Sequence, residues 1–90
     1  SNQDYLGLII DYDNANKCLV LKERNYFKVG DKVEIFTPDF KFYNYTVEKI
    51  YDENMNSLDV ARHPEQILKL PFKESLPQYS MIRMLEKKED

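Results

Sequence analysis

Residues 25–36, with the sequence Asn-Tyr-Phe-Lys-Val-Gly-Asp-Lys-Val-Glu-Ile-Phe, decide the fold class of this 90-residue chain. Two large aromatic residues precede a Gly30-Asp31 pair. Glycine can adopt the positive φ that many turns need, and aspartate can accept hydrogen bonds from nearby backbone amides, so the pair predicts a turn. Beyond it, Val33 and Ile35 alternate with charged residues, a pattern typical of a strand with one face on a core. We therefore expect a strand over residues 32–36.

The same period-two pattern extends in both directions from this stretch. In the first predicted strand, the alternation places Leu6, Leu8, Ile10 and Tyr12 on one face. The slip in period before Ile50 predicts a β-bulge or bend near residues 48–49. No segment shows a helical period over three turns. The predicted fold is all-β, a small closed or partly open β-barrel of about six strands, at residues 5–12, 17–24, 32–36, 42–51, 66–70 and 80–85.

Composition limits the possible classes of function. The chain carries 13 basic and 16 acidic residues, a net charge of −3, which argues against a strongly basic nucleic-acid-binding domain. A single cysteine, Cys18, excludes an internal disulfide framework, and we expect it to be a small packed residue in a cytoplasmic protein. No apolar run approaches the roughly 20 residues of a membrane span. We interpret residues 1–2 as a tag remnant, residues 3–86 as the domain and residues 87–90 as a charged tail.

The candidate catalytic and metal-binding motifs lack the partner residues that catalysis or metal binding would need. Asp11, Asp13 and Asn16 are spaced like the start of a calcium-binding loop, but position twelve is Lys22, a cation where a carboxylate ligand is needed. A turn is the preferred interpretation. His63 is the only histidine, and no obvious nucleophile or second metal ligand accompanies it. We predict a non-enzymatic domain with no catalytic residue, metal or cofactor.

Two loop segments mix cations with aromatic rings. Residues 24–28 and residues 41–45 each combine lysine or arginine with tyrosine and phenylalanine. Proteins that bind single-stranded RNA use cations for phosphates and rings for stacked bases. In the alternative, Phe27 and Tyr45 belong to the core and the lysines only keep strand edges soluble. The residues alone leave both interpretations open.

The order of several segments resembles the C-terminal domain of the collagenase-like peptidase family U32. The resemblance extends from Tyr5 to Arg83, with Ser80 where an acidic residue is expected, and is carried by residues 5–9, 23–34, 45–52, 59–67 and 79–83. It implies a barrel similar to the second domain of elongation factor Tu, placed behind a separate catalytic domain. Members of the family are called peptidases or collagenases, and others act in hydroxylating tRNA or ribosomal RNA.

Three hypotheses follow from the resemblance. In the first, the chain is an accessory domain that positions a substrate (tRNA, ribosomal RNA or polypeptide) for the N-terminal catalytic domain of the same protein. No membrane takes part in this hypothesis. Its candidate binding residues are Arg24, Tyr26, Lys28, Lys41, Tyr43 and His63. In the second, the domain is a protein–protein interaction or oligomerisation module with an aromatic patch around Phe40, Phe42 and Tyr43. In the third, the domain is itself a hydrolase, which the failed motifs disfavour.

Overall fold

A computed structural model describes residues 4–86, so the predicted tag remnant and charged tail lie outside the described residues. The described chain forms ten strands. They are β1 (Tyr5–Asp13), β2 (Cys18–Glu23), β3 (Phe27–Lys28), β4 (Lys32–Phe36), β5 (Phe42–Thr46), β6 (Ile50–Asp52), β7 (Ser57–Leu58), β8 (Val60–Ala61), β9 (Ile67–Pro71) and β10 (Met81–Glu86). The all-β class is confirmed. Within residues 4–86, no helix is long and apolar enough to cross a membrane.

Eight of the strands form one antiparallel sheet, in the order β5-β4-β10-β1-β2-β9-β6-β7. The other two, β3 and β8, pair with each other as a short ribbon. The sheet is curled: four strands separate β5 from β9 in the sheet, yet the Tyr45 hydroxyl on β5 donates to the backbone oxygen of Pro71 on β9, at 2.6 Å. It is not closed into a barrel, since its outermost strands, β5 and β7, do not pair with each other. The predicted barrel is therefore an open, curled sheet.

Aliphatic side chains from both sheets and the connecting loops fill a single core. On β4, Val33 and Ile35 are fully buried, as the alternating pattern predicts. Phe27 is the largest fully buried side chain. The remaining members of the buried cluster are Leu6, Ile9, Leu19, Leu21, Val47, Ile50, Ala61, Leu68, Leu70, Leu76 and Ile82.

The predicted face of β1 is wrong at Leu8 and Ile10, whereas its two end residues, Leu6 and Tyr12, do pack in or against the core. Leu6 and Ile9 are the fully buried side chains, three positions apart, whereas Leu8 is only half-buried. Two register shifts explain the difference, one between Tyr5 and Gly7 in the pairing with β10, the other between residues 9 and 11 in the pairing with β2. A β-bulge adds one residue to a strand and so exchanges the faces that follow.

The predicted fourth strand, residues 42–51, is interrupted where its period slips. It divides into β5 and β6, and the intervening Val47 and the first residue of β6, Ile50, are both buried. The turn predicted at Gly30-Asp31 forms one residue earlier, at Val29-Gly30, where Gly30 has a φ of 99°. A carboxylate oxygen of the buried Asp31 accepts a 2.9 Å hydrogen bond from the backbone of Lys28 and closes this turn.

Candidate functional site

The two-residue strands β3 and β8 pack against the core on one side and present a small polar surface on the other. Phe27 pairs with Ala61, and both are fully buried, so this pair anchors the ribbon. Because side chains alternate along a strand, the neighbours of Phe27 point the other way. Tyr26 is 46% exposed. Extending the pairing by one residue places Tyr26 opposite the exposed Arg62.

Backbone hydrogen bonds fix the segments that flank the ribbon. The amides of Arg24 and Asn25 both donate to the backbone oxygen of Leu6, at 2.8 and 3.3 Å. The amide of Glu65 donates to the backbone oxygen of Glu23 at 2.7 Å. The loop 62–66 is thereby tied to the end of β2, and the segment before β3 is tied to β1.

One carboxylate links two cations beside the ribbon. Glu65 lies 3.2 Å from Lys22 Nζ and 3.3 Å from Arg24 Nη1, through its two different oxygens. All three side chains are between 41% and 52% exposed. Exposed ion pairs of this kind contribute at most about 1 kcal/mol, so the two cations can exchange Glu65 for another anion at little cost.

Four of the six predicted site residues come together here. Arg24, Tyr26, Lys28 and His63 all lie on or beside the ribbon, and Arg62 joins them; these five residues are called the ribbon face below. A cleft of about 570 Å³ adjoins it, and its lining includes Asp59, Arg62 and His63. The ribbon face contains three cations, Arg24, Lys28 and Arg62, and the carboxylates beside them are Glu65, which is paired with Arg24, and Asp59 in the cleft.

The other two predicted residues, Lys41 and Tyr43, lie elsewhere. Lys41 is exposed in the connection between β4 and β5, where its amide donates to the Thr37 hydroxyl at 2.9 Å. Tyr43 is half-buried and meets Phe72 edge-on, with ring centroids 5.6 Å apart. Its ring therefore packs against the core rather than joining the ribbon face.

Beneath the ribbon face lies a buried carboxylate. Glu23 has no exposed surface, and neither of its carboxylate oxygens has a hydrogen-bond partner among the described residues. Burial raises the pKa of the Glu23 carboxyl to about 7, an effect that the nearby backbone amide of His63 only partly offsets. The side chain is thus poised between its neutral and charged forms near neutral pH.

A second exposed surface consists of aromatic rings at the β4–β5 end of the sheet. Phe40 is 84% exposed, and Phe42 and Tyr79 are each 62% exposed. The rings of Phe36 and Phe42 stack, with centroids 6.3 Å apart, and the guanidinium of Arg83 lies 5.9 Å from the Phe36 centroid. Phe40 and Phe42 of the predicted patch are therefore at the surface, whereas Tyr43 belongs to the opposite face of β5.

The part of the chain that the structure describes contains no group of three or more His, Cys, Asp or Glu side chains able to hold a metal ion. Cys18 is buried, and burial raises its thiol pKa, the opposite of what a reactive thiol needs.

Comparison with known sequences identifies the family. The profile of the peptidase family U32 C-terminal domain matches residues 1–83. The chain belongs to this family. The U32 C-terminal domain described here is also 41% identical, over 80 residues, to tRNA hydroxylation protein P1 of Bacillus subtilis (strain 168). This match covers 89% of the chain but only 19% of the relative, so the chain spans about a fifth of that protein.

Two solved structures share the fold. Both are of the C-terminal domain of a Geobacillus thermoleovorans protein named for the U32 peptidases. One is 39% identical, with a TM-score of 0.83, and covers 94% of this chain and 96% of that one. The selenomethionine variant is 42% identical, with a TM-score of 0.80, and covers 88% and 96%. Both crystal structures are of the C-terminal domain of that protein.

Sequence reasoning missed two residues of the site in this U32 C-terminal domain. Arg62 was not predicted because its segment shows no regular alternation of apolar and polar residues, although it directly precedes the predicted His63. Glu23 lies between two cations and looks like part of a solvated face. Its burial could have been predicted from its position: Glu23 lies two residues after Leu21 and four after Leu19. All three side chains therefore point to the inner face of β2.

Proposed function

We propose that this domain binds the RNA substrate of a larger U32 protein through the ribbon face and positions it for a catalytic domain elsewhere in that protein. The observation that carries the proposal is the placement of Arg24, Lys28 and Arg62 on or beside the ribbon that also exposes the ring of Tyr26. Similarity to a tRNA hydroxylation protein supports RNA as the substrate class. An RNA substrate would place the activity in the cytoplasm.

The chemistry of the ribbon face suits this role. Guanidinium and ammonium groups bind phosphate oxygens, and an exposed tyrosine ring can stack on an unpaired base. The ion pairs of Glu65 with Lys22 and Arg24 are both exposed. Phosphates can therefore replace this carboxylate without desolvating a buried charge. In this proposal the reaction itself belongs to the catalytic domain, and the U32 C-terminal domain contributes affinity and orientation.

The experiment is a salt-dependent titration of labelled tRNA with the 90-residue chain, followed by fluorescence anisotropy. The logarithm of the binding constant should fall linearly with the logarithm of KCl concentration, by about 0.7–0.9 for each phosphate contacted. Arg62→Ala should reduce this slope by about 1. Lys73→Ala, which removes an exposed cation that follows β9 and is not part of the ribbon face, is the matched control and should leave the slope unchanged.

Amide and ring NMR shifts provide a second readout for weak binding. Tyr26 and His63 should shift on addition of tRNA at low salt, and the fully buried Leu70 should not. Unchanged shifts at low salt, or equal slopes for Arg62→Ala and Lys73→Ala, would contradict an RNA-binding role of the ribbon face.

A further inference from the structure

A tight turn places Glu65 at the end of β2. The amide of Gln66 donates to the backbone oxygen of His63 at 3.1 Å, and Pro64 is the first of the two residues between them. Glu65 is the second, and its φ of 67° lies in the left-handed region. A type II turn has this pattern, with proline first and a positive φ at the second position that glycine normally supplies. A glutamate therefore occupies a position where the backbone favours glycine.

Backbone hydrogen bonds hold this turn in a fixed place against β2. The amide of Glu65 donates to the backbone oxygen of Glu23 at 2.7 Å, and the amide of Glu23 donates to the backbone oxygen of Gln66 at 2.9 Å. Lys22 and Arg24 flank Glu23, and side chains two positions apart along a strand point to the same face. The two oxygens of the Glu65 carboxylate contact these two cations, at 3.2 and 3.3 Å. The turn thus sets one carboxylate over a pair of cations.

The contacts of this carboxylate are those that a phosphodiester group can make. A phosphodiester carries one negative charge and two non-bridging oxygens, as a carboxylate carries one charge and two oxygens, and lysine and arginine bind both groups. It can therefore contact Lys22 and Arg24 in place of Glu65. Arg24 is two residues before Tyr26, so the cation pair adjoins the ribbon face.

We propose that Lys22 and Arg24 form a binding site for one RNA phosphate, and that Glu65 is a built-in competitor that occupies this site until RNA displaces it. The inference rests on the proposed function, which supplies RNA as the ligand. Exposed ion pairs are weak, so Glu65 lowers the affinity of the site without closing it. An RNA that also engages Arg62 and Tyr26 displaces the carboxylate, whereas a polyanion that reaches only the cation pair competes poorly.

The backbone of the turn agrees with this role. Glycine at position 65 would adopt the positive φ without strain but would leave the cation pair uncovered. Glu65→Gly should therefore not lower the thermal midpoint of the domain, and it should strengthen RNA binding. This variant removes the carboxylate without depending on a polar replacement at a strained position, so it also checks that any change in binding does not come from misfolding.

Anisotropy titrations of labelled tRNA with the 90-residue chain test the competitor role. Glu65→Gln removes the competing charge and should strengthen binding about threefold to tenfold at low salt. In a background of Lys22→Ala and Arg24→Ala, the same substitution should change the affinity by less than about twofold, because the cation pair that it uncovers is gone. Asp59→Asn is the matched control. It removes an equal charge from the cleft beside the ribbon face and should also change the affinity by less than about twofold.

The displacement of Glu65 can be observed directly by NMR. Its side-chain carboxyl carbon signal should shift when tRNA is added to the unmodified chain, because the carboxylate leaves Lys22 and Arg24. The carboxyl signal of Glu74, an exposed residue after β9, should stay in place.

The outcomes separate this inference from the proposed function. If tRNA binds and Arg62→Ala lowers the salt slope, but Glu65→Gln strengthens binding no more than Asp59→Asn does, the competitor role is wrong and the RNA-binding role stands. An equal gain from Glu65→Gln with and without the cation pair has the same meaning. If neither the unmodified chain nor Glu65→Gln binds tRNA at low salt, both are wrong.

Discussion

The hydroxyl of Tyr45 donates to the backbone oxygen of Pro71 at 2.6 Å and joins edge strand β5 to β9 across the open side of the sheet. Both residues lie close to Phe72, whose ring centroid is 5.9 Å from that of Tyr45. No backbone ladder connects these two strands. Side chains therefore complete the enclosure of the core that a closed barrel would complete with backbone hydrogen bonds.

Removing this hydroxyl should destabilise the domain by about 1 kcal/mol, because Tyr45→Phe leaves a partly buried backbone oxygen without its donor. Tyr43→Phe is the matched control, since the structure gives no hydrogen bond for that hydroxyl and its ring contact with Phe72 is retained. Chemical denaturation followed by tyrosine fluorescence and circular dichroism measures both. Equal midpoints for the two variants would show that the bond does not contribute.

Glu23 should make the stability of the domain depend on pH near neutrality. Its folded-state pKa, about 7, lies above the ordinary value of 4.5. The carboxyl therefore contributes its full stability below about pH 4.5, and this contribution is lost as the pH rises through 7. Glu23→Gln should remove this fall, which we expect to be on the order of 1–3 kcal/mol between pH 5 and pH 8.

Denaturant unfolding at the two pH values measures the effect, and Glu74→Gln is the control. That substitution changes the same charge on an exposed residue, so its pH dependence should follow the unmodified chain. If Glu23→Gln retained the full difference between pH 5 and pH 8, another group would be responsible.

Adjacent residues of the ribbon should separate stability from binding. Phe27→Ala removes a fully buried ring and should cost about 3–5 kcal/mol. Tyr26→Ala removes a ring that is 46% exposed and should change stability by less than about 0.5 kcal/mol. In the tRNA titration, Tyr26→Ala should nevertheless weaken binding, by about 1–3 kcal/mol if the ring stacks on a base. A Tyr26→Ala variant with unchanged affinity would exclude stacking on this ring.

Gly7 should tolerate no side chain. A Cβ at this position would lie 2.7 Å from the backbone oxygen of Lys22 and in contact with Cδ1 of Leu21. Since the backbone oxygen belongs to the neighbouring strand, relief requires β1 and β2 to separate. Gly7→Ala should therefore destabilise the domain by about 1–3 kcal/mol, which a thermal melt would detect. An unchanged melting temperature would mean that the bulge next to Gly7 absorbs the methyl group.

The two-residue period of apolar side chains and the turn residues between the segments predicted the long strands. A strand with one buried face needs apolar and polar side chains to alternate strictly. Strand β4 has the predicted bounds, and its inner residues Val33 and Ile35 are buried. The two-residue strands β3, β7 and β8 could not be predicted, since two residues carry no period and their pairing depends on distant partners. The face of β1 was mispredicted because a bulge changes register without a local sequence signal.

The candidate site was predictable in part for a similar reason. Cations and rings near Tyr26 were visible in the sequence, but their meeting with Arg62 and His63 depends on the pairing of Phe27 with Ala61, 34 positions apart in the chain. Lys41 and Tyr43 carry the same local composition and lie elsewhere, which composition alone could not reveal. The resemblance to the U32 C-terminal domain, by contrast, is confirmed over nearly the whole chain.

Strand β10 lies between β1 and β4 although it is the last described strand along the chain. While the polypeptide is being synthesised, the β4–β5 hairpin therefore has no neighbour through which to join the β1–β2–β9 portion. The two portions can become one hydrogen-bonded sheet only after residues 81–86 have been synthesised. Until then the chain exposes unpaired strand edges on both sides of the gap, and such edges make a partly folded chain prone to aggregation.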